Sequence, residues 1–189
     1  MFYRLRNGGF TLPELVITLV VLAILITIAY PGWSTTIERY RAQRLQSELR
    51  TLFNSARMTA VHESSLVTIC PLNAANVCSN DWNARISVFL DPDKSRSLSS
   101  HNHLIRFSET VDGGNLQASS SGHGERRYFQ YNSDGTVRGT IGHLRWCSHS
   151  ATPETAFQLR LNFGGRLRWA QDTDDDGIAE MSDGSPLTC

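Results

Sequence analysis

The stretch Gly165-Arg166-Leu167-Arg168 places two guanidinium groups two residues apart. On an extended strand that spacing puts Arg166 and Arg168 on one face and Leu167 on the other. Arg160, across a hairpin, adds a third. A planar guanidinium fork matches phosphate oxygens bidentately, so the group is a candidate phosphate site. The Gly164-Gly165 turn would let the backbone approach a ligand closely. Trp169 could stack on an unpaired base, or pack inward as an ordinary core residue. The competing reading of the arginines is a solvated strand edge paired with nearby acids, an arrangement that contributes little.

Those acids form a second pattern. Asp172, Asp174, Asp176, Gly177, Glu180 and Asp183 occupy positions 1, 3, 5, 6, 9 and 12 of a calcium-loop template. Oxygen ligands at alternate positions, with a Gly for the turn, are what Ca2+ requires, so calcium is the candidate cofactor. Two departures weaken the match: Asp stands at position 12 where a bidentate Glu is usual, and a strand pattern precedes the loop. A solvated acidic turn is the alternative. Enzyme chemistry finds no comparable support. His62, His101, His103, His123, His143 and His149 are scattered without H-x3-H spacing, and neither a G-x-S-x-G elbow nor a phosphate loop occurs. The chain reads as a non-enzyme.

The 189 residues suit one domain of ordinary size, with 18 Lys+Arg against 18 Asp+Glu. A hydrophobic content of 40% excludes a disordered chain. The balanced charge is uneven along the chain: the last twenty residues hold six acids and no base, leaving a mildly basic body. Arg accounts for all but one of the basic residues, the exception being Lys94. Leu15 to Ala29 is free of charge, and counted from Phe10 to Tyr30 the segment reaches the ~20 residues a helix needs to cross a bilayer. Arg4 and Arg6 before it place the N-terminus in the cytoplasm and the rest outside. No cleavage site of small residues follows the apolar run. Pro31-Gly32 kinks or loosens the helix. Beyond them, Leu45, Leu49, Leu52, Phe53, Ala56 and Ala60 recur at helical spacing as one apolar face, expected to pack on a sheet.

After Ser65 the pattern becomes short, alternating and β-branched or aromatic. Strands are expected at 66–69, 86–90, 104–107, 128–131, 143–146, 157–161 and 166–169, with turns at Asn132-Ser133-Asp134-Gly135 and Gly164-Gly165. Asp91 to Asn102 and the Gly/Ser-rich Asp112 to Glu125 read as exposed loops. The expected fold is α+β: a long N-terminal helix, membrane-spanning and then amphipathic, packed on an antiparallel β-sheet globule. Its parts are a leader (1–9), an assembly helix (10–30), an amphipathic helix (31–65), a β-rich head (66–169) and an acidic tail (170–189).

The order Gly9-Phe10-Thr11-Leu12-Pro13-Glu14, followed by the apolar run and Pro31, resembles the type IV prepilin signature. Pro13 departs from the aliphatic residue frequent there, and a first helical turn tolerates it. Further along, Cys70-Pro71, Cys78, Trp82, Val88-Phe89 and the G-R-x-R of residues 165–168 resemble the GspH/FimT branch of minor pilins and minor pseudopilins. The resemblance implies cleavage between Gly9 and Phe10 by a prepilin peptidase and methylation of Phe10. It implies a single-pass inner-membrane protein with a periplasmic head, assembling with other pilin subunits. Glu14 would meet the N-terminal ammonium of a neighbour, because an unpartnered carboxylate in lipid is costly. It further implies a minor pilin that could hold DNA for uptake through Arg166, Arg168, Gly165 and Arg160. The alternative is a minor pseudopilin of a type II secretion system. In an oxidising periplasm the four cysteines should pair, and three connectivities are possible. The short Cys70–Cys78 spacing favours that bond, leaving Cys147 to Cys189. Zinc would need a C-x2-C spacing that is missing.

Overall fold

The computed structural model describes residues 11–122 and 124–189, excluding the side chains of residues 28–32, 34 and 121. The expected processing pair Gly9 and Phe10 lies outside the described residues, as do Arg4, Arg6 and His123. Two compact units are present, Met1–Ile37 and Glu38–Cys189. A single 51-residue helix, α1 (Leu12–His62), supplies residues to both.

In the first unit the described apolar side chains from Leu15 to Ile26 are exposed. The backbone N–H of Thr11 reaches Glu14 Oε2 at 3.5 Å. Thr followed three residues later by Glu is the spacing of a capping box, in which an acid satisfies an orphan amide of the first turn. The helical backbone continues through Pro31-Gly32, where the sequence suggests a break. Among the described residues no helix is long and apolar enough to cross a membrane. The apolar run of the sequence ends at Ala29, two positions beyond the last side chain described in that stretch.

In the second unit the expected helical stripe is the centre of the core. Leu45, Leu49, Leu52, Phe53, Ala56 and Ala60 are all buried, joined by Ala42. The strands are β1 (Val67–Pro71), β2 (Ile86–Leu90), β3 (Leu104–Phe107), β4 (Gly114–Ala118), β5 (Ser120–Ser121), β6 (Gly124–Glu125), β7 (Phe129–Tyr131), β8 (Gly142–Ser148), β9 (Phe157–Leu161) and β10 (Leu167–Trp169). They form two four-stranded antiparallel sheets rather than one, ordered β3-β2-β1-β7 and β10-β9-β8-β4, plus a β5-β6 ribbon. Both sheets contribute to the same apolar cluster as the helix: Val67, Ile69, Val88, Phe129 and Tyr131 from the first, Leu116, Leu144, Trp146, Phe157, Leu159 and Leu161 from the second. Phe53 meets Phe129 edge-on at 5.5 Å between centroids, a favoured aromatic geometry.

All seven expected strands are present, and the Gly/Ser-rich loop is where the sequence misleads. Residues 114–118 form β4, an edge strand paired with β8 from Gly114↔Ser148 to Ala118↔Leu144. Its single large apolar residue, Leu116, is buried, while the Leu116 N–H is taken by Asn83 Oδ1 at 2.7 Å. Gly114 is required because a Cβ there would lie 2.5 Å from the Trp146 ring. Asp91, at the head of the other expected loop, is also buried. Its carboxylate accepts from Thr68 Oγ1 (2.6 Å), Ser95 N (2.8 Å) and Gln130 Nε2 (3.2 Å), closing the loop onto the outer face of the first sheet.

The candidate basic strand face and acidic tail loop

Both expected disulfides are formed, Cys70–Cys78 and Cys147–Cys189. The second anchors the tail to β8. The tail is folded rather than frayed: Leu187 is buried and its N–H donates to Ala179 O at 2.8 Å. Leu167 and Trp169 pack against the core, so Trp169 is not a free stacking platform. It meets Phe157 edge-on, with the Arg50 guanidinium 5.7 Å from its ring.

The opposite face of the second sheet carries the basic group. The register places Arg168 opposite Arg160 and Arg160 opposite His143. Residues directly opposite on antiparallel strands share a face, so the three form a row across β10, β9 and β8. Arg166 lies beside this row at the hairpin turn; its N–H donates to Asn162 Oδ1 at 2.9 Å and its side chain is exposed, as is that of Arg168. Among the described residues none of Arg160, Arg166 and Arg168 forms an ion pair, so the pairing with nearby acids that the competing reading invokes is not seen. Arg160 donates from Nη2 to the Glu180 carbonyl at 3.0 Å, while its Nε is buried without a partner.

Gly165 has a different role from the one its sequence context suggests. It is buried, at φ +73°, against the Asn132–Gly135 turn. A Cβ there would lie 2.1 Å from the Gly135 carbonyl oxygen. Its own carbonyl accepts the Tyr131 hydroxyl at 3.1 Å. The glycine therefore lets two turns of the protein meet. Burial pushes the Tyr131 phenol well above its ordinary range.

The acidic loop forms in part. Asp172, Asp174, Asp176 and Glu180 bring one carboxylate oxygen each to within 4.8 Å of one another. Backbone amides fold the loop around them: Asp172 Oδ2 accepts from Gly177 N and Asp176 Oδ1 from Ile178 N. Asp183 is not in the cluster. It caps its own turn, accepting from Ser185 N at 3.1 Å and Ser185 Oγ at 2.6 Å, bonds that hold its carboxyl below the usual range. Glu180 joins the two sites, its carboxylate accepting from Thr173 N and Oγ1 while its carbonyl holds Arg160.

Residues 46–165, well over half of the chain, match the family described as Type II transport protein GspH. The chain belongs to the GspH family. Residues 4–30 match the prokaryotic N-terminal methylation motif. No curated protein matches the chain significantly. Among solved structures, the type IV minor pilin FimU of Pseudomonas aeruginosa is similar over 80% of this chain and 97% of its own, at 20% identity and a TM-score of 0.55. A second crystal form of FimU gives 19% identity and a TM-score of 0.52, covering 78% and 98% of the two chains. The minor pseudopilin EpsH of Vibrio cholerae covers 68% of this chain and 91% of its own at 16% identity, with a TM-score of 0.43. The FimU likeness shows a shared fold: a helix packed on antiparallel sheets.

His143 is one of six scattered histidines in the sequence, and only the β8–β9 register reveals it as part of the row. Its pKa is lowered below 6.5, first by burial and then by Arg145, Arg160 and Arg126. The unfolded chain therefore takes up a proton before the GspH-family head does. Stability should fall as pH drops below about 6.5 and level off below the folded-state value. The decline should be shallow, because the ring is only half-buried and solvent screens the neighbouring charges. Thermal unfolding across pH 4 to 8 should show this decline, and His143→Gln should reduce it; an unchanged profile in that variant would assign the decline elsewhere.

Proposed function

We propose that the chain is a minor subunit of a type IV pilus whose second sheet holds DNA by its phosphates. The observation that carries the proposal is the basic strand face: exposed Arg166 and Arg168 beside Arg160 and His143, none of the four in an ion pair with a described residue. Guanidinium groups free of carboxylate partners are available to phosphate oxygens. Such binding is sequence-tolerant and falls with rising salt as counterions are released. Gly165 supports it only by setting the hairpin.

The test is retardation of DNA by the purified full chain at two salt concentrations. Arg166→Gln combined with Arg168→Gln should abolish retardation and reduce natural transformation while the chain remains folded. Undiminished binding in that variant would show that DNA is held elsewhere. The alternative reading, a minor pseudopilin of type II secretion, is favoured by the family's description as a transport protein. Deleting the chain would then impair protein secretion and leave transformation intact.

The N-terminal segment acts as the anchor in this reading. A prepilin peptidase cuts between Gly9 and Phe10, Phe10 is methylated, and the apolar segment 10–30 holds the subunit in the inner membrane before assembly with other pilin subunits. The exposed apolar side chains of the first unit and the methylation motif support this, and two disulfides suit a periplasmic head. The Glu14 carboxylate, which among the described residues accepts only the long bond from the Thr11 amide, pairs with the ammonium of a neighbouring subunit. Glu14→Ala should therefore yield a cleaved, membrane-inserted subunit that is depleted several-fold from sheared fibres; wild-type incorporation would remove the role.

Calcium is the cofactor of the tail loop, held by Asp172, Asp174, Asp176 and Glu180. Their convergence supports this, since four carboxylates gathered so closely repel one another until a cation intervenes. Calcium at a hundred times its dissociation constant should stabilise the head by about 2.7 kcal/mol, and chelation should expose the tail to protease. Identical melting and proteolysis with calcium and with chelator would exclude the ion.

A further inference from the structure

Between the outer face of the second sheet and the tail lies a recess of about 620 Å³. His143, Arg160 and Arg168 line it on the sheet side, and Met181 and Glu180 on the tail side. Ile141, 48% exposed, stands at its lip. The Arg160 Nε is a buried donor without a partner, and a buried unsatisfied donor costs free energy that an acceptor seated beside it would recover. Of the nearby acids, Glu180 already accepts two bonds from Thr173, and Asp183 is committed to Ser185. The wall thus offers cationic donors beside apolar atoms.

From this we infer that the recess seats one unpaired nucleotide of a DNA strand, its phosphate on Arg160 and Arg168 and its base against Ile141 and Met181. The inference rests on the DNA-binding reading and narrows it to unpaired strands. The volume falls in the range of small-molecule sites and suits one nucleotide. A duplex, with its bases turned inward, cannot present a base to a recess walled by the tail. His143 sits at the end of the row, where an anion on Arg160 offsets the charges that oppose its protonation.

Titration of the full chain in detergent with dAMP, deoxyadenosine and inorganic phosphate tests this. Saturable dAMP binding is expected, at least tenfold tighter than either fragment, with a shift of the His143 ring resonances. Arg160→Gln and Arg168→Gln should each weaken it at least tenfold. Arg85→Gln, just before β2 of the other sheet, serves as the charge control and should not. Arg168 is exposed, so its variant keeps the test valid if Arg160→Gln fails to fold. A short single strand should displace dAMP where a blunt duplex of equal length does not. Equal binding of phosphate and dAMP, equal displacement by duplex, or dAMP binding untouched by both arginine variants would overturn the inference. Absence of dAMP binding in a preparation that still retards DNA would overturn the recess alone. Binding of dAMP without retardation of any DNA would retire the DNA reading and with it the assignment of the recess to a DNA strand.

Discussion

Everything in the head depends on one apolar stripe of α1 being covered from two directions. Leu49, Ala56 and Ala60 are wholly inaccessible, and Leu52 and Phe53 nearly so. That degree of burial is reached because both sheets share one core with the helix. Removing a buried leucine from such a core costs about 2–5 kcal/mol, comparable with the whole margin of a small domain. Polar contacts then fix the loops on the helix: Ser150 Oγ donates to Glu38 at 2.7 Å, Glu109 N to Glu48 at 2.8 Å, and Arg57 to the Gly164 carbonyl at 3.1 Å.

The last of these contacts links the core to the candidate site. Arg57 holds one glycine of the β9–β10 hairpin while Tyr131 holds the next through its carbonyl. With its turn clamped by a helix and by the first sheet, the hairpin has a fixed register, and that register sets Arg168 beside Arg160. The basic row is therefore a product of packing on the core side of the sheet. Trp169 serves the same end, since its inward packing on Phe157 turns Arg168 outward.

Much of this is legible in the chain, for a physical reason. The helical stripe and the seven strands bury large apolar side chains with clear periods, and periodicity is what a sequence displays most directly. The disulfide pairing follows from compartment and spacing. Strand β4 is hidden because Leu116 is its one large buried residue, and its Gly and Ser neighbours read as a linker. The split into two sheets is equally hidden, as alternation tells which face is buried and not which strand is the neighbour. Asp91 looks like a loop residue because a lone acid carries no sign of the donors that gather round it. Gly165 misleads for a similar cause: a glycine needed for close approach looks the same whether the approaching group is a ligand or another turn.

The relation between the acidic loop and the basic row is beyond reach of either motif alone. In sequence they look antagonistic, six carboxylates following directly on an arginine strand. In the structure Glu180 separates them by turning its carboxylate toward the loop and its carbonyl toward Arg160. The residue's isolated bridges to Gln171 and Pro186 hold it in that orientation. Opposite charges are thus kept in adjacent compartments without neutralising each other as ion pairs. An arginine paired with a carboxylate would have to break that pair before it could meet a phosphate. One held by a backbone carbonyl has no bound carboxylate to displace and keeps much of its donor capacity, because a carbonyl is the weaker acceptor. The tail thereby positions Arg160 and walls the recess while leaving the cationic face available.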